Sequence, residues 1–201
     1  IWTNKRKGGR LWQCLRRKAK PYRQRLTAET RGRINDRVSI HERPSIVDAR
    51  TRIGDWEADT IIGQHHKQAI VTLVERKTGL LKMKRVDNKT AQQVSEAMIE
   101  LLKPVRLQVK TITSDNGKEF AQHKKVKQKL FSSFFFADAY ASWQRGTNEN
   151  TNGLIREYLP KGCDFRQVSD DEMQDIENKL NNRPRKRLGF KTPMQAFYNI
   201  N

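Results

Sequence analysis

The sequence predicts an α/β domain with a mixed five-stranded sheet and flanking helices, on three observations. Short runs rich in β-branched and aromatic residues alternate with stretches of helical period. The helical stretches begin at capping residues, and glycine-containing turn signals separate the strands. In chain order, the first strand lies in GDWEADTIIG (54–63). AIVTLVER and LLKMKRV then flank Lys77-Thr78-Gly79 as a hairpin, the second strand alternating apolar and basic residues from Leu81 to Val86. A helix follows, with Thr90 as N-cap, Gln93 three residues on, Ala91, Val94, Met98, Leu101 and Leu102 on its apolar face and a stop at Pro104. Next come a strand from Val109 to Thr113, a helix from Gly117 to Leu130, and FSSFFFA as a buried strand. A polar helix begins near Asn148 and breaks at Pro160-Lys161-Gly162. The last helix has the capping pair Ser169 and Glu172, with Met173, Ile176 and Leu180 on one stripe.

Composition narrows the partner. The 201 residues hold 41 Lys and Arg against 22 acids, a formal charge of +19, which calls for a polyanion, nucleic acid by default. A membrane is excluded as partner, because no run of about 18 apolar residues occurs and no basic helix has a clean apolar face. Residues 1–50 carry 15 of the bases and 4 acids, so a basic N-terminal segment, linking to a DNA-binding region largely absent here, is expected ahead of a core at 51–201. The chain opens on Ile1, as a fragment would. Cys14 and Cys163 lack metal or disulfide spacing, which fits a reducing cytoplasm; His65 and His66 read as surface residues.

The carboxylates carry the chemistry. TSDNGKEF (113–120) ends an apolar strand on Asp115 and turns at Asn116-Gly117, residues that tolerate positive φ; Asp115 then either caps a helix or is presented at the sheet edge, where α/β folds bind ligands. A hard divalent cation needs two or three such carboxylates around an open face. The first strand offers Asp55, Glu57 and Asp59, all on one side by the two-residue period, and spacing does not choose among them. The helix near Asn148 offers Glu149, with 33 residues between it and Asp115.

GDWEADTIIG, ITSDNGKEF, SWQRGTNENTNGLIREYLPKG and NNRPRKRLGFKTPMQAF, in that order, resemble transposases of the bacterial insertion-sequence-thirty family, with a retroviral-integrase-like catalytic core; the resemblance runs from about Arg25 to the end. It implies an RNase H-like fold and a D,D,E polynucleotidyl transferase, with Asp59, Asp115 and Glu149 as catalytic and metal-binding residues. It also implies Mg²⁺ or Mn²⁺, two ions per site when DNA is bound. The activity implied is cleavage at transposon ends and transfer of the 3′ hydroxyl into target DNA, by a homo-oligomer acting in the cytoplasm on nucleoid DNA. The rivals are a nuclease that does not join, and a non-catalytic DNA-binding derivative. The sequence departs from the commoner family pattern at Asp55 and Ala58, where His and Gly are usual, and so adds a negative charge beside the site.

The residues expected on DNA are Lys118, Trp143, Arg145, Asn152, Arg156, Lys161, Arg183, Arg185, Lys186 and Arg187. Trp143 beside Arg145 suits stacking on an unpaired base, or else belongs to the core. Arg156 lies two turns from Glu149 on the same face, where it holds a phosphate, pairs with Glu157 or is merely solvated. NNRPRKRLGF groups four cations that can follow a DNA backbone.

Overall fold

The computed structural model describes residues 1–14, 34–64, 68–139 and 141–200. His65, His66, the RRKAK run and the start of the resemblance at Arg25 lie outside them. The chain divides into two units, Ile1–Gly32 and Arg33–Asn201. In the first, helix α1 (Trp2–Arg6) and a 3₁₀ turn (Leu11–Cys14) are joined by a hydrogen bond from the Leu11 N–H to Asn4 Oδ1 (3.2 Å), and Lys5 Nζ lies 4.3 Å from the Trp12 ring centre.

The second unit holds a five-stranded sheet: β1 (Asp55–Ile62), β2 (Ala69–Glu75), β3 (Leu81–Val86), β4 (Thr111–Ser114) and β5 (Ser133–Phe136), in the order β3-β2-β1-β4-β5. β1, β2 and β3 run antiparallel through short connections, whereas β4 and β5 pair in parallel, each reached through a helix. The helices are α2 (Ile46–Ala49), α3 (Ala91–Leu102), α4 (His123–Leu130), α5 (Gly146–Tyr158), α6 (Asp170–Asn181) and α7 (Pro193–Tyr198). The expected order of five strands and four main helices is the order found. Thr90 accepts from the Gln93 N–H and Ser169 from the Glu172 N–H, as their capping positions require.

Alternation along the strands sorts two cores. Ala69, Val71 and Leu73 face Val94, Met98 and Leu102 of α3, together with Trp56, Ile112, Phe134 and Phe136. Ile70, Val74, Leu81 and Met83 face Ile155 of α5 and Met173, Ile176 and Leu180 of α6. Burying each of these large side chains contributes about 1.5–3 kcal/mol before entropy is counted.

Four local differences from the sequence reading have physical causes. The chain past α3 continues as a 3₁₀ helix, Lys103–Gln108, because Pro104 sits at its first turn, where no N–H is needed. The 117–130 helix is a 3₁₀ turn, Lys118–Phe120, followed by α4. α7 was not expected, although Thr192, Pro193 and Gln195 form a complete capping box with proline at the first helical position. Residues 34–50, counted with the basic segment by composition, pack on the sheet. Ile34, Ile40 and Val47 are buried, and the Phe136 N–H donates to Val38 O (2.9 Å).

Candidate active site

β1 is the central strand, and its odd-numbered residues face α5. Three acids on that face would repel one another, and the structure gives each a different environment. Asp55 is buried, accepting from Arg52 Nε and Nη2 (2.9 Å each) and from Thr111 Oγ1 (2.8 Å). The charge that departs from the family pattern is thereby neutralised inside the fold. Glu57, fully buried, accepts from Arg76 Nη1 (2.7 Å) and from the Asn148 backbone N–H (2.9 Å) in the first turn of α5. A carboxylate at that position satisfies a helix-end donor and suits the positive end of the helix dipole.

Asp59 remains for the site. β1 and β4 pair Asp55 with Thr111 and Glu57 with Thr113, and the same register carried on by two residues sets Asp59 level with Asp115. Arg145 spans the pair, with Nη1 at 3.4 Å from Asp59 Oδ2 and Nη2 at 3.6 Å from Asp115 Oδ2. Burial raises the Asp59 pKa above its ordinary 3.8, and the Asp115 charge raises it further; Arg145 and the Thr60 N–H oppose the shift without cancelling it.

Asp115 Oδ1 accepts from the Gly117 N–H (2.9 Å), fixing the carboxylate over the turn. The turn does not use positive φ, as expected from Asn-Gly: Gly117 has φ −66°, and Asn116 is not among the residues with positive φ. An added Cβ there would meet Glu119 Oε2 at 2.4 Å, so a larger residue would displace the Glu119 carboxylate from its partners Thr60 and Lys89. Asn116 instead is buried and donates to Ala137 O (2.6 Å), tying the end of β4 to the end of β5. Glu119 is buried too, accepting from Thr60 Oγ1 (3.1 Å) and pairing with Lys89 (2.6 Å).

α5 brings the third acid. Residues 145, 149, 152 and 156 fall on one stripe at about 100° per residue. Two of them reach the acid pair: Arg145, as above, and Asn152, whose Nδ2 donates to Asp59 Oδ2 (3.0 Å). Glu149 stands between them on that stripe and is exposed. Among the described residues, no group of three or more His, Cys, Asp or Glu side chains is already gathered to hold a metal ion. The two aspartates are together, and Glu149 is a helical turn from their contacts.

The residues expected on DNA divide into two groups. Trp143 is 75% exposed, so it is not a core residue; Lys118, Lys161, Arg183, Lys186 and Arg187 are exposed as well. Arg145 and Asn152 instead touch the aspartates. Arg156 neither pairs with Glu157 nor is merely solvated: it donates to the carbonyls of Ile62 (2.8 Å), Leu159 (3.3 Å) and Pro160 (3.2 Å), closing the end of α5 onto β1. Arg185 donates to Leu180 O (3.2 Å) and Arg187 to Lys77 O. Sequence reasoning missed Thr72. It lies opposite Asp59 in β2 and its hydroxyl contacts Asn152 Oδ1 (3.2 Å), which turns the Asn152 amide nitrogen toward Asp59. The hairpin register was the signal that could have found it.

The chain is 49% identical over 201 residues to the transposase for insertion sequence element IS4351 of Bacteroides fragilis, covering all of this chain and 62% of that protein. It is 37% identical over 195 residues to the transposase for IS1086 of Cupriavidus metallidurans (94% of this chain, 57% of that one). With the transposase InsI for IS30A of Escherichia coli the identity is 40% over 169 residues (82% and 44%). The chain thus spans between 44% and 62% of the length of these relatives. No protein-family model matches it. Among solved structures, the catalytic core domain of BIV integrase superposes with a TM-score of 0.56 at 21% identity, over 72% of this chain and 93% of that one. The simian T-cell lymphotropic virus intasome, in complex with PP2A regulatory subunit B56 gamma, gives 0.60 at 15% identity, over 73% and 55%. Insertion-sequence transposases, those of the IS30 elements among them, are thus homologues of this chain in sequence, and its fold is the RNase H-like fold of an integrase catalytic core.

Proposed function

We propose that the chain is the catalytic part of a metal-dependent polynucleotidyl transferase, which cuts DNA at transposon ends and joins the freed 3′ hydroxyl to target DNA. The observation that carries this reading is the pair Asp59, on β1, and Asp115, just past the end of the adjacent β4, sharing one guanidinium, with Glu149 on the helical stripe that contacts them. The donors are all carboxylate oxygens, and burial, with the Asp115 charge beside it, raises the Asp59 pKa, a cost to the ionised carboxylate that a bound cation would relieve. Such a set fits Mg²⁺ or Mn²⁺, with Asp59, Asp115 and Glu149 holding it. When bound, metal supplies an activated water or hydroxyl and charge stabilisation at phosphorus, with no side-chain nucleophile.

The chain's own residues orient and recognise. Asn152, itself oriented by Thr72, fixes the Asp59 carboxylate, and the Gly117 N–H fixes that of Asp115. Arg145 lies farther from both aspartates than the roughly 2.7–2.9 Å of a tight charge-assisted hydrogen bond, so it is free to turn toward a DNA phosphate. Exposed Trp143 offers a ring for an unpaired base, and Lys118 and Lys161 offer cations to the backbone. Joining two transposon ends calls for more than one copy of the chain, working on nucleoid DNA in the cytoplasm. No helix among the described residues is long and apolar enough to cross a membrane.

The test is incubation of labelled transposon-end DNA and target DNA with the chain and Mg²⁺ or Mn²⁺. Cut and joined products are expected; cutting alone leaves a nuclease, and neither product leaves a DNA-binding derivative. Thr72→Val is expected to slow single-turnover cutting by about three- to tenfold, the equivalent of one lost hydrogen bond, with the melting temperature little changed.

Metal and pH give a readout independent of activity. The Asp59 pKa is raised in the folded chain, so without metal the protein loses stability as pH rises from the ordinary Asp value of 3.8 through the raised one. Asp59→Asn is therefore expected to melt higher than the unsubstituted chain at neutral pH without metal. Mg²⁺ should raise the melting temperature of the unsubstituted chain but not of Asp59→Asn. Equal Mg²⁺ shifts in both would remove Asp59 from the metal site.

A further inference from the structure

A cavity of about 390 Å³ opens beside the first turn of α5. Arg50, just after α2, and Arg185 and Arg187, between α6 and α7, line it, and among the described residues no carboxylate does. None of the three arginines forms an ion pair with a described residue. Glu75, whose charge Arg187 feels, is already engaged by the Gly54 and Thr78 N–H groups and the Thr78 hydroxyl. Burial lowers the pKa of both Arg185 and Arg187; neighbouring arginines lower it further, Arg183 and Arg187 at the first and Arg50 at the second. Gly79 makes room for this arrangement: its φ is +76°, and a Cβ there would lie 2.5 Å from Arg187 Nη2.

The fourth wall is the start of α5, at Gly146, Thr147 and Asn150, where Glu57 already takes the Asn148 N–H. Thr147 Oγ1 is shielded from solvent and has no hydrogen-bond partner. At about 100° per residue, Thr147 and Asn150 lie on the opposite side of the helix from Arg145, Glu149 and Asn152. The cavity is therefore separate from the acid pair. A second cavity of about 320 Å³, lined by Arg43, Asp48, Arg50, Arg76 and the exposed Trp143 among others, shares Arg50 with the first; Asp48 pairs there with Arg43 and Arg76.

We propose that this cavity is a phosphate site for DNA, seating a backbone phosphodiester on the far side of α5 from the catalytic acids; it rests on the DNA reading above. Three guanidiniums that line one cavity, none of them in an ion pair with a described residue, present donors suited to phosphate oxygens. Arg50, common to the linings of both cavities, lets the cationic surface extend beyond one phosphate, as a polyanion's backbone requires. Bound DNA held here would be gripped on both sides of the helix that carries Glu149.

The experiment compares the unsubstituted chain, Arg50→Ala/Arg187→Ala, and Lys127→Ala/Lys129→Ala, which removes the same charge from exposed positions on α4. Binding of labelled duplex DNA is followed by anisotropy between about 50 and 200 mM salt. The arginine variant is expected to bind about tenfold more weakly, with a log–log salt slope shallower by about 1.8, as for two lost phosphate contacts. The lysine variant is expected to stay within about threefold of the unsubstituted chain, because its cations lie outside the cavity. Equal losses in the two variants would reduce the effect to bulk charge and overturn the site. If inorganic phosphate raises the melting temperature of the unsubstituted chain alone while both chains bind DNA alike, the cavity takes a free anion and the proposal falls. Absence of salt-dependent DNA binding by the unsubstituted chain would overturn the general DNA reading as well, which sets that failure apart. Should the double arginine variant melt lower, Arg50→Ala alone carries the comparison, since the Arg50 side chain makes no hydrogen bond to a described residue.

Discussion

Glu149→Gln is expected to lower metal-dependent cutting and joining by at least about a hundredfold while DNA affinity is kept or rises slightly. The substitution preserves shape but removes the charge a hard cation needs, and loss of a few kcal/mol of metal-dependent stabilisation corresponds to that factor. The position is exposed, so folding should be unaffected and melting temperatures should match. Glu157→Gln, equally exposed on the same helix, is the control and should retain nearly full activity. Glu119 is not a second control, as its buried carboxylate serves Thr60 and Lys89. Near-normal joining by Glu149→Gln, measured as strand-transfer product on labelled DNA, would require another third acid.

The largest loss of stability is expected from Arg76→Met. It would leave the fully buried Glu57 carboxylate without its cation, and breaking a buried pair from one side costs about 3–5 kcal/mol. For a chain of this size that is roughly 10 °C in melting temperature. Arg76 also donates to Val47 O and reaches Asp48, so the loss extends to α2. Adding Glu57→Gln should recover most of the deficit, because a neutral amide oxygen can still accept the Asn148 N–H. A melt of Arg76→Met indistinguishable from the unsubstituted chain would show that the ion pair contributes nothing to holding α5.

The strand and helix order was legible because its signals are local: the apolar run of β2, alternation in β3, and caps at Thr90 and Ser169. The choice among Asp55, Glu57 and Asp59 was not legible from the residues alone. It depends on Arg52, Thr111, Arg76 and the Asn148 N–H, partners 3 to 91 positions away that no periodicity reveals. The contacts of Arg145 and Arg156 within the fold were hidden for the same reason: their partners are the two aspartates and the carbonyls of Ile62, Leu159 and Pro160, which no periodicity reveals. Residues 34–50 were hidden by averaging, since three buried aliphatic residues do not alter a basic composition. The turn at Asn116-Gly117 was legible, but the reason given was tolerance of positive φ, which Gly117 at φ −66° does not use.

The single-sided row of acids on β1 bears on which genetic lesions this chain can survive. A substitution at Asp55, Glu57 or Asp59 removes one partner and leaves the others in place. Inserting or deleting one codon between Trp56 and Ala58 moves part of the row to the opposite face, against Val94, Met98 and Leu102, and brings apolar residues toward α5. Ionised carboxylates would then be buried among aliphatic side chains while Arg76 and the α5 N-terminus lost theirs, so fold and chemistry would fail in one step. Indel scanning of the gene should therefore find β1 silent for transposition and for soluble expression alike, with single-codon changes in the loop after α6 still yielding folded protein.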